Sequence, residues 1–173
     1  MKQRKLANIL FVNLLGLMLL FPLAVNAQSR KEAKAAAEAQ QQQEIAQLLD
    51  SGTFTITIDK MSPMRGGIRT LTPSYSFTYN DNKVSTYLPY VGSSHSAPMN
   101  PSNLSIELKD KEVNLVKKEV KKGWEYTFQT RIESGESASF TLSISKNGYV
   151  NIQVNCGERD SISYSGELEI PTK

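Results

Sequence analysis

Nine short segments of alternating apolar and polar residues follow one another from residue 53 to the end of the chain. The first, TFTITID, places Phe54, Ile56 and Ile58 on one side and threonines on the other, which is the period of a β-strand with one buried face. The remaining eight segments cover residues 74–80, 83–89, 103–110, 112–120, 124–132, 138–145, 149–156 and 161–170. None is a continuous apolar run, as strands between two helical layers would be. We therefore predict a mainly all-β domain over residues 53–173, with about nine antiparallel strands in a sandwich or partly open barrel.

The links between these segments are short and contain turn-forming residues. Asn80-Asp81-Asn82 predicts a hairpin between the second and third strands. Asn147-Gly148 predicts a type I′ turn, which requires positive φ at both central positions.

The first 27 residues have the three parts of a secretory signal peptide. Basic residues stand near the start, residues 6–20 are almost wholly apolar, and small residues lie at positions 25–27. We predict cleavage after Ala27 and a periplasmic or secreted location. An uncleaved signal anchor is the alternative, because residues 6–25 are long enough to span a bilayer.

Removal of the signal changes the charge balance. Residues 1–27 contain three of the 20 basic residues and no acidic ones, so residues 28–173 carry 17 basic and 17 acidic side chains. This neutral balance argues against nucleic-acid binding. The single cysteine, Cys156, has no disulfide partner in the chain, and no cysteine at the cleavage site provides for a lipid anchor. Since Cys156 continues the apolar alternation of its segment, we predict that it is buried.

Residues 28–52 are predicted to be helical, because they are rich in Ala, Gln and Glu. Ser29 and Glu32 have capping-box spacing, and Gly52 is suited to end the helix, which predicts a helix from about residue 30 to residue 50. Only the last two turns carry large apolar residues that could dock on the domain: Ile45, Leu48 and Leu49.

Two connections are candidate binding loops. MSPMRGGIRTL, at residues 61–71, reads as an eleven-residue link in which Arg65 and Arg69 flank two glycines. Two guanidinium groups beside exposed backbone amides are suited to hold a carboxylate or a sugar acid. A solvated crossover loop is the alternative interpretation.

The second connection, at residues 89–101, contains three prolines and the only histidine, His95. Proline-stiffened turn geometry is the structural interpretation of this loop. As a binding loop it would present the rings of Tyr87, Tyr90 and His95. As a Ser–His hydrolase centred on His95 it would need a G-x-S-x-G elbow or an acidic partner, and the sequence shows neither.

Metal and cofactor sites are not expected, since the chain has one His and one Cys and no Gly-rich loop between a strand and a helix. The lysines at positions 117, 118, 121 and 122 are predicted to protect an edge hairpin against strand-to-strand aggregation.

The sequence resembles the Bacteroidetes envelope proteins grouped as domain of unknown function 4251. The similar elements are MSPMRGGIRTL at residues 61–71, SYSFTYNDNKVSTYLPYVG at residues 74–92 and SISYSGEL at residues 161–168. LPYVG is the most specific of these motifs, and the resemblance extends from about residue 45 to residue 168. It implies an exported, mostly β domain in a Gram-negative envelope, and it transfers no catalytic or binding residues.

The leading hypothesis is a non-catalytic envelope protein that binds an unknown ligand or protein through the two loops. Its candidate residues are Arg65, Arg69, Tyr87, Tyr90 and His95. An assembly protein that uses the helix at residues 30–50 is the alternative, and the hydrolase is the more distant one.

Overall fold

The alternating segments form a single curled sheet in the computed structural model of the chain, which describes residues 21–94 and 104–171, with side chains from residue 30. The strands are β1 Thr53–Pro63, β2 Arg69–Asn80, β3 Lys83–Leu88, β4 Ile106–Glu112, β5 Val116–Val120, β6 Gly123–Arg131, β7 Ser137–Ser145, β8 Tyr149–Cys156 and β9 Ile162–Leu168. Their order is β4-β3-β2-β1-β9-β8-β7-β6-β5, and every neighbouring pair is antiparallel. The prediction of about nine antiparallel strands is therefore confirmed.

The sheet curls into a half-barrel with its apolar face inward. Phe77 on β2 and Phe128 on β6 are five positions apart in the sheet order, yet their ring centroids are 6.3 Å apart. Phe128 also stacks on Phe140 of β7, with centroids 4.6 Å apart. Such contacts across the interior require strong curvature, so a partly open barrel is the form that the sheet takes.

Within the residues that the structure describes there is one helix, α1, at Phe21–Asp50. It includes Ser29 in its interior, so the capping-box start near residue 30 is wrong. The side chains of residues 30–41 are exposed, whereas Ile45 and Leu49 are buried in the core. The prediction that only the last turns dock is confirmed.

The end of α1 lies against the β7–β8 turn and the edge strand β5. Gln41 donates a side-chain hydrogen bond to the Asn147 carbonyl at 3.4 Å, and Asp50 forms an ion pair with Lys117. Because β5 is the last strand of the sheet and its side chains are exposed, the predicted edge position of the lysine-rich hairpin is confirmed.

A β-bulge lets β1 continue beyond the segment that its sequence period predicts. The pairing register shifts between Ile58 and Lys60 on both sides of β1. Against β9, β1 has one extra residue, which reverses the phase of alternation, so Met61 and Pro63 face the interior after the bulge. Against β2, the three extra residues belong to β2, between Thr70 and Tyr75. Because β1 ends at Pro63 and β2 begins at Arg69, only residues 64–68 lie between the two strands. The predicted eleven-residue link is in fact a five-residue hairpin connection.

The two predicted turns differ in geometry from each other. Asp81 and Asn82 both have positive φ, at 47° and 66°, which is the type I′ pattern for the two-residue β2–β3 hairpin. In the β7–β8 connection only Gly148 has positive φ, at 86°. The type I′ assignment of Asn147-Gly148 is therefore wrong, because this connection has three residues and needs one left-handed position.

Gly166 allows the bulged strand β1 to approach β9 closely. A Cβ at Gly166 would lie 1.9 Å from the Thr57 carbonyl oxygen and 2.9 Å from the Ile58 Cα. These are backbone atoms of a central strand, so a side-chain adjustment cannot relieve the overlap.

We predict that Gly166→Ala lowers the free energy of unfolding by about 3 kcal/mol or more. Gly157→Ala is the matched control, because its Cβ would meet no atom within 4 Å, and its effect should stay within about 0.5 kcal/mol. Urea unfolding followed by tryptophan fluorescence measures both. Equal stability of the two variants would contradict the close approach of β1 to β9.

Candidate functional site

Several connections meet at the end of the sheet away from the buried Ile45 and Leu49, which we call the distal end. Pro63, the last residue of β1, pairs with Ile162, the first residue of β9. Three residues before Ile162, the backbone of Arg159 forms an isolated antiparallel β-bridge with Ser94. The distal end thus carries the hairpin connection at residues 64–68, the segment 89–94, and the turns at residues 132–136 and 157–161.

Arg159 is the central side chain of the distal end, and its side chain is 3 % exposed. Its Nε donates to Glu136 Oε2 at 2.6 Å. Its Nη1 donates to the Leu104 carbonyl at 2.6 Å, and its Nη2 to Ser134 Oγ at 3.2 Å. One guanidinium group therefore joins the β8–β9 turn to the β6–β7 turn and to the chain that enters β4.

Glu136 balances the buried charge of Arg159. Its side chain is 9 % exposed, and its second carboxylate oxygen accepts the Glu158 amide hydrogen bond at 3.0 Å. Both carboxylate oxygens are thus hydrogen-bonded to the β8–β9 turn. This pairing meets the condition under which two charges are tolerated away from water.

Tyr90 belongs to this buried cluster and is not an exposed binding ring. It is 9 % exposed, and the Arg159 guanidinium carbon lies 4.9 Å from its ring centroid. Its hydroxyl donates to the Asp160 carbonyl at 3.0 Å, and burial, followed by the nearby Asp160 charge, raises the pKa of Tyr90. The prediction that Tyr90 presents a free ring is therefore wrong, since its ring and hydroxyl are both used inside the protein.

The LPYVG motif at residues 88–92 serves to anchor the chain. Leu88 is fully buried, and the Tyr164 hydroxyl donates to the Pro89 carbonyl at 2.8 Å. A Cβ at Gly92 would lie 2.4 Å from the Tyr90 hydroxyl oxygen, so glycine leaves the space that the tyrosine fills. The described part of the second predicted binding loop is thus held to the sheet at both its backbone and its side chains.

Tyr87, another predicted binding residue, has an exposed ring at the end of β3. Tyr87 is 50 % exposed, and its ring lies beside Tyr75 with centroids 6.2 Å apart. His95 lies outside the described residues, and so the hydrolase hypothesis that depends on it stays a prediction.

Arg65 and Arg69 lie together on the β1–β2 hairpin, on a surface that we call the hairpin tip (residues 64–69). All six residues of the hairpin tip are exposed. A Cβ at Gly66 would lie 3.3 Å from Arg69 Nη2, so the Arg69 guanidinium folds back over Gly66. Both predicted arginines therefore present their charge at the same projecting turn.

Cys156 is buried, as predicted, and burial and then the Glu136 charge raise the pKa of its thiol to about 11. At neutral pH it is a protonated core residue. In the described part of the chain, no three His, Cys, Asp or Glu side chains are placed to hold a metal ion. No helix there combines the length and apolarity needed to cross a membrane.

The described residues form a mainly antiparallel half-barrel domain, against which the last turns of the N-terminal helix α1 pack. The chain belongs to the family described as domain of unknown function (DUF4251), whose model matches residues 36–168. A solved structure of similar fold is a DUF4251 family protein from Bacteroides eggerthii DSM 20697. It is 15 % identical, has a TM-score of 0.54, and the match covers 77 % of this chain and 89 % of that chain. None of the curated proteins matches this chain.

Arg159, Glu136 and Asp160 are the distal-end residues that sequence reasoning did not select. All three lie in polar turns, ESGE at residues 133–136 and GERD at residues 157–160, where charged residues are usually solvated. The opposite charges of Arg159 and Glu136 were the only sequence feature that could suggest a contact between them. The two residues are 23 positions apart, and this spacing does not predict a contact.

We predict that Arg159→Met lowers the free energy of unfolding by about 3–5 kcal/mol, because it leaves Glu136 charged and unpaired in the interior. The double variant Arg159→Met/Glu136→Leu should recover much of this loss, since it removes both charges. Lys109→Met is the matched control, because Lys109 pairs with Glu107 at 2.9 Å but is 73 % exposed, and its effect should stay below about 1 kcal/mol. A double variant no more stable than Arg159→Met alone would contradict this assignment.

Proposed function

We propose that this chain is an exported, non-catalytic binding domain of the bacterial envelope, with the hairpin tip as its contact surface. Export is supported by the signal-like residues 1–27. The non-catalytic role is supported by the internal use of Tyr90 and the burial of Cys156, which leaves these two reactive groups inaccessible.

The exposed composition of the hairpin tip is the observation that carries this proposal. Met64 and Ile68 are 62 % and 73 % exposed, the two highest values among the large apolar side chains that the structure describes. Exposed apolar groups rimmed by polar residues mark contact surfaces, and methionine and arginine are enriched in them. The hairpin tip replaces the pair of loops at residues 61–71 and 89–101 as the contact surface, because residues 89–94 are anchored to the sheet.

Site-specific photo-crosslinking in the native envelope tests this role. One strain carries benzoylphenylalanine in place of Ile68, and the control strain carries it in place of Lys121 in the exposed β5–β6 turn. We expect discrete adducts from position 68 and none from position 121. Absence of adducts at position 68, or the same adducts from both positions, would contradict the proposed contact surface.

A second candidate function is assembly through α1. The observation that favours it is the exposure of every side chain over residues 30–41 of the helix, a length that packing in the domain does not explain. An exposed helical segment of this kind is suited to act as a spacer or to pair with another helix.

Deletion of residues 28–40 tests the assembly role without removing Ile45 or Leu49 from the core. We expect the deletion to reduce the oligomeric size measured by light scattering while the unfolding midpoint is unchanged. A monomer both before and after the deletion would exclude assembly through this segment.

A further inference from the structure

We infer that the hairpin tip docks on an anionic lipid surface, with Arg65 and Arg69 at the phosphate groups and Met64 and Ile68 in the outer acyl region. This inference rests on the proposed function and names the chemistry of its ligand.

The shape of the hairpin tip favours an extended partner. Residues 64–69 are exposed throughout, and residues 64–68 lie beyond the last pair of β1 and β2, Met61 with Arg69. Gly66 and Gly67 have φ values of 102° and 77°, which lets the chain reverse direction with no bulky side chain at its apex. Small ligands are normally enclosed by concave sites, whereas a projecting turn makes its contacts by entering a surface.

The hairpin tip carries a positive charge that nearby residues in the sequence do not neutralise. Between Asp59 and Asp81 the sequence has three basic residues, Lys60, Arg65 and Arg69, and no acidic one. Lys60 is paired with Asp59 at 3.3 Å, whereas within the described residues Arg65 and Arg69 form no ion pair. Since residues 28–173 as a whole carry equal numbers of acidic and basic side chains, attraction to an anionic surface would act at this point of the molecule.

The arrangement of apolar and charged residues fits a lipid boundary. Met64 precedes Arg65, and Ile68 precedes Arg69, so each strand end of the turn presents one apolar and one cationic side chain. At a membrane surface, arginines bind phosphate groups while neighbouring apolar side chains enter the acyl boundary. A soluble sugar acid would satisfy the arginines but would leave Met64 and Ile68 in water.

The basic edge strand β5 is the competing surface on this chain. It has exposed Val116 and Val120 and the adjoining turn residues Lys121 and Lys122. It also contains Glu119, which weakens attraction to an anionic surface. The variant Lys121→Gln/Lys122→Gln removes the same charge as Arg65→Gln/Arg69→Gln and is therefore the matched control.

A fluorescent label at position 68 tests the inference directly on the full chain recovered after export. Ile68→Cys is labelled with a thiol-reactive nitrobenzoxadiazole dye at neutral pH, where Cys156 is buried and protonated and is not labelled. Lys121→Cys carries the control label. Each protein is mixed with vesicles of phosphatidylcholine alone or of phosphatidylcholine with phosphatidylglycerol.

We expect a blue shift of the emission from position 68 with the anionic vesicles only, and no shift from position 121. Arg65→Gln/Arg69→Gln should weaken vesicle binding by roughly 30-fold, about fivefold for each charge, and Lys121→Gln/Lys122→Gln by less than about fivefold. Urea midpoints equal to that of the parent chain confirm that these exposed substitutions leave the fold intact.

The opposite results would overturn the inference. They are no shift at position 68, equal shifts at both positions, or an equal loss of binding from the lysine and arginine variants. Loss of vesicle binding on addition of inorganic phosphate at moderate, constant ionic strength would identify a free-phosphate site instead. If vesicle binding fails while crosslinks from position 68 persist in the envelope, the contact surface stands and its ligand is not lipid; if both fail, the proposed function fails as well.

Discussion

The buried ion pair between Arg159 and Glu136 organises the distal end of this domain. Burying two charges is unfavourable unless their hydrogen-bonding groups are satisfied, and here the partners come from three separate connections of the sheet. The pair therefore holds these connections in one arrangement, and Tyr90 packs its ring on the Arg159 guanidinium. The result is a fixed base at the distal end, beside which the hairpin tip projects as an exposed, cationic and apolar turn.

Most of the fold follows from the period of the sequence. Each of the nine alternating segments corresponds to one strand, because a sheet with one buried face requires an apolar residue at every second position. Three strand ends depart most from the predicted segments: β1 continues past Phe54, Ile56 and Ile58 to Met61 and Pro63, β2 begins at Arg69 rather than at residue 74, and β5 begins at Val116 rather than at residue 112. The departure of β1 has an identifiable cause. A β-bulge between Ile58 and Lys60 changes the phase of alternation. A prediction that assumes one constant phase therefore ends β1 too early. This is why the β1–β2 connection was predicted to be eleven residues long.

The buried cluster of Arg159, Glu136, Asp160 and Tyr90, which we call the distal cluster, could not be predicted from the sequence for a different reason. Charged residues in turns are normally solvated, and only the curl of the sheet brings the turn with Glu136 against the turn with Arg159. Tyr90 was predicted to present an exposed ring, but the structure buries it. Its burial depends on the hydrogen bond to Asp160 and on the space left by Gly92. By contrast, Arg65 and Arg69 lie four positions apart in the sequence, and the structure places both in one exposed stretch, residues 64–69. Local geometry was predictable here, and long-range charge pairing was not.

Amide hydrogen–deuterium exchange, with and without anionic vesicles, tests most directly the claim that a fixed base supports an exposed tip. In the free protein, the amides of Ser93, Glu158 and Asp160 should exchange slowly, because each is hydrogen-bonded within the distal cluster. The hairpin tip should exchange rapidly, and on vesicles protection should increase there and not in the β5–β6 turn. Rapid exchange at Glu158 and Asp160 would contradict the fixed base, and a hairpin tip unchanged by vesicles would contradict lipid docking.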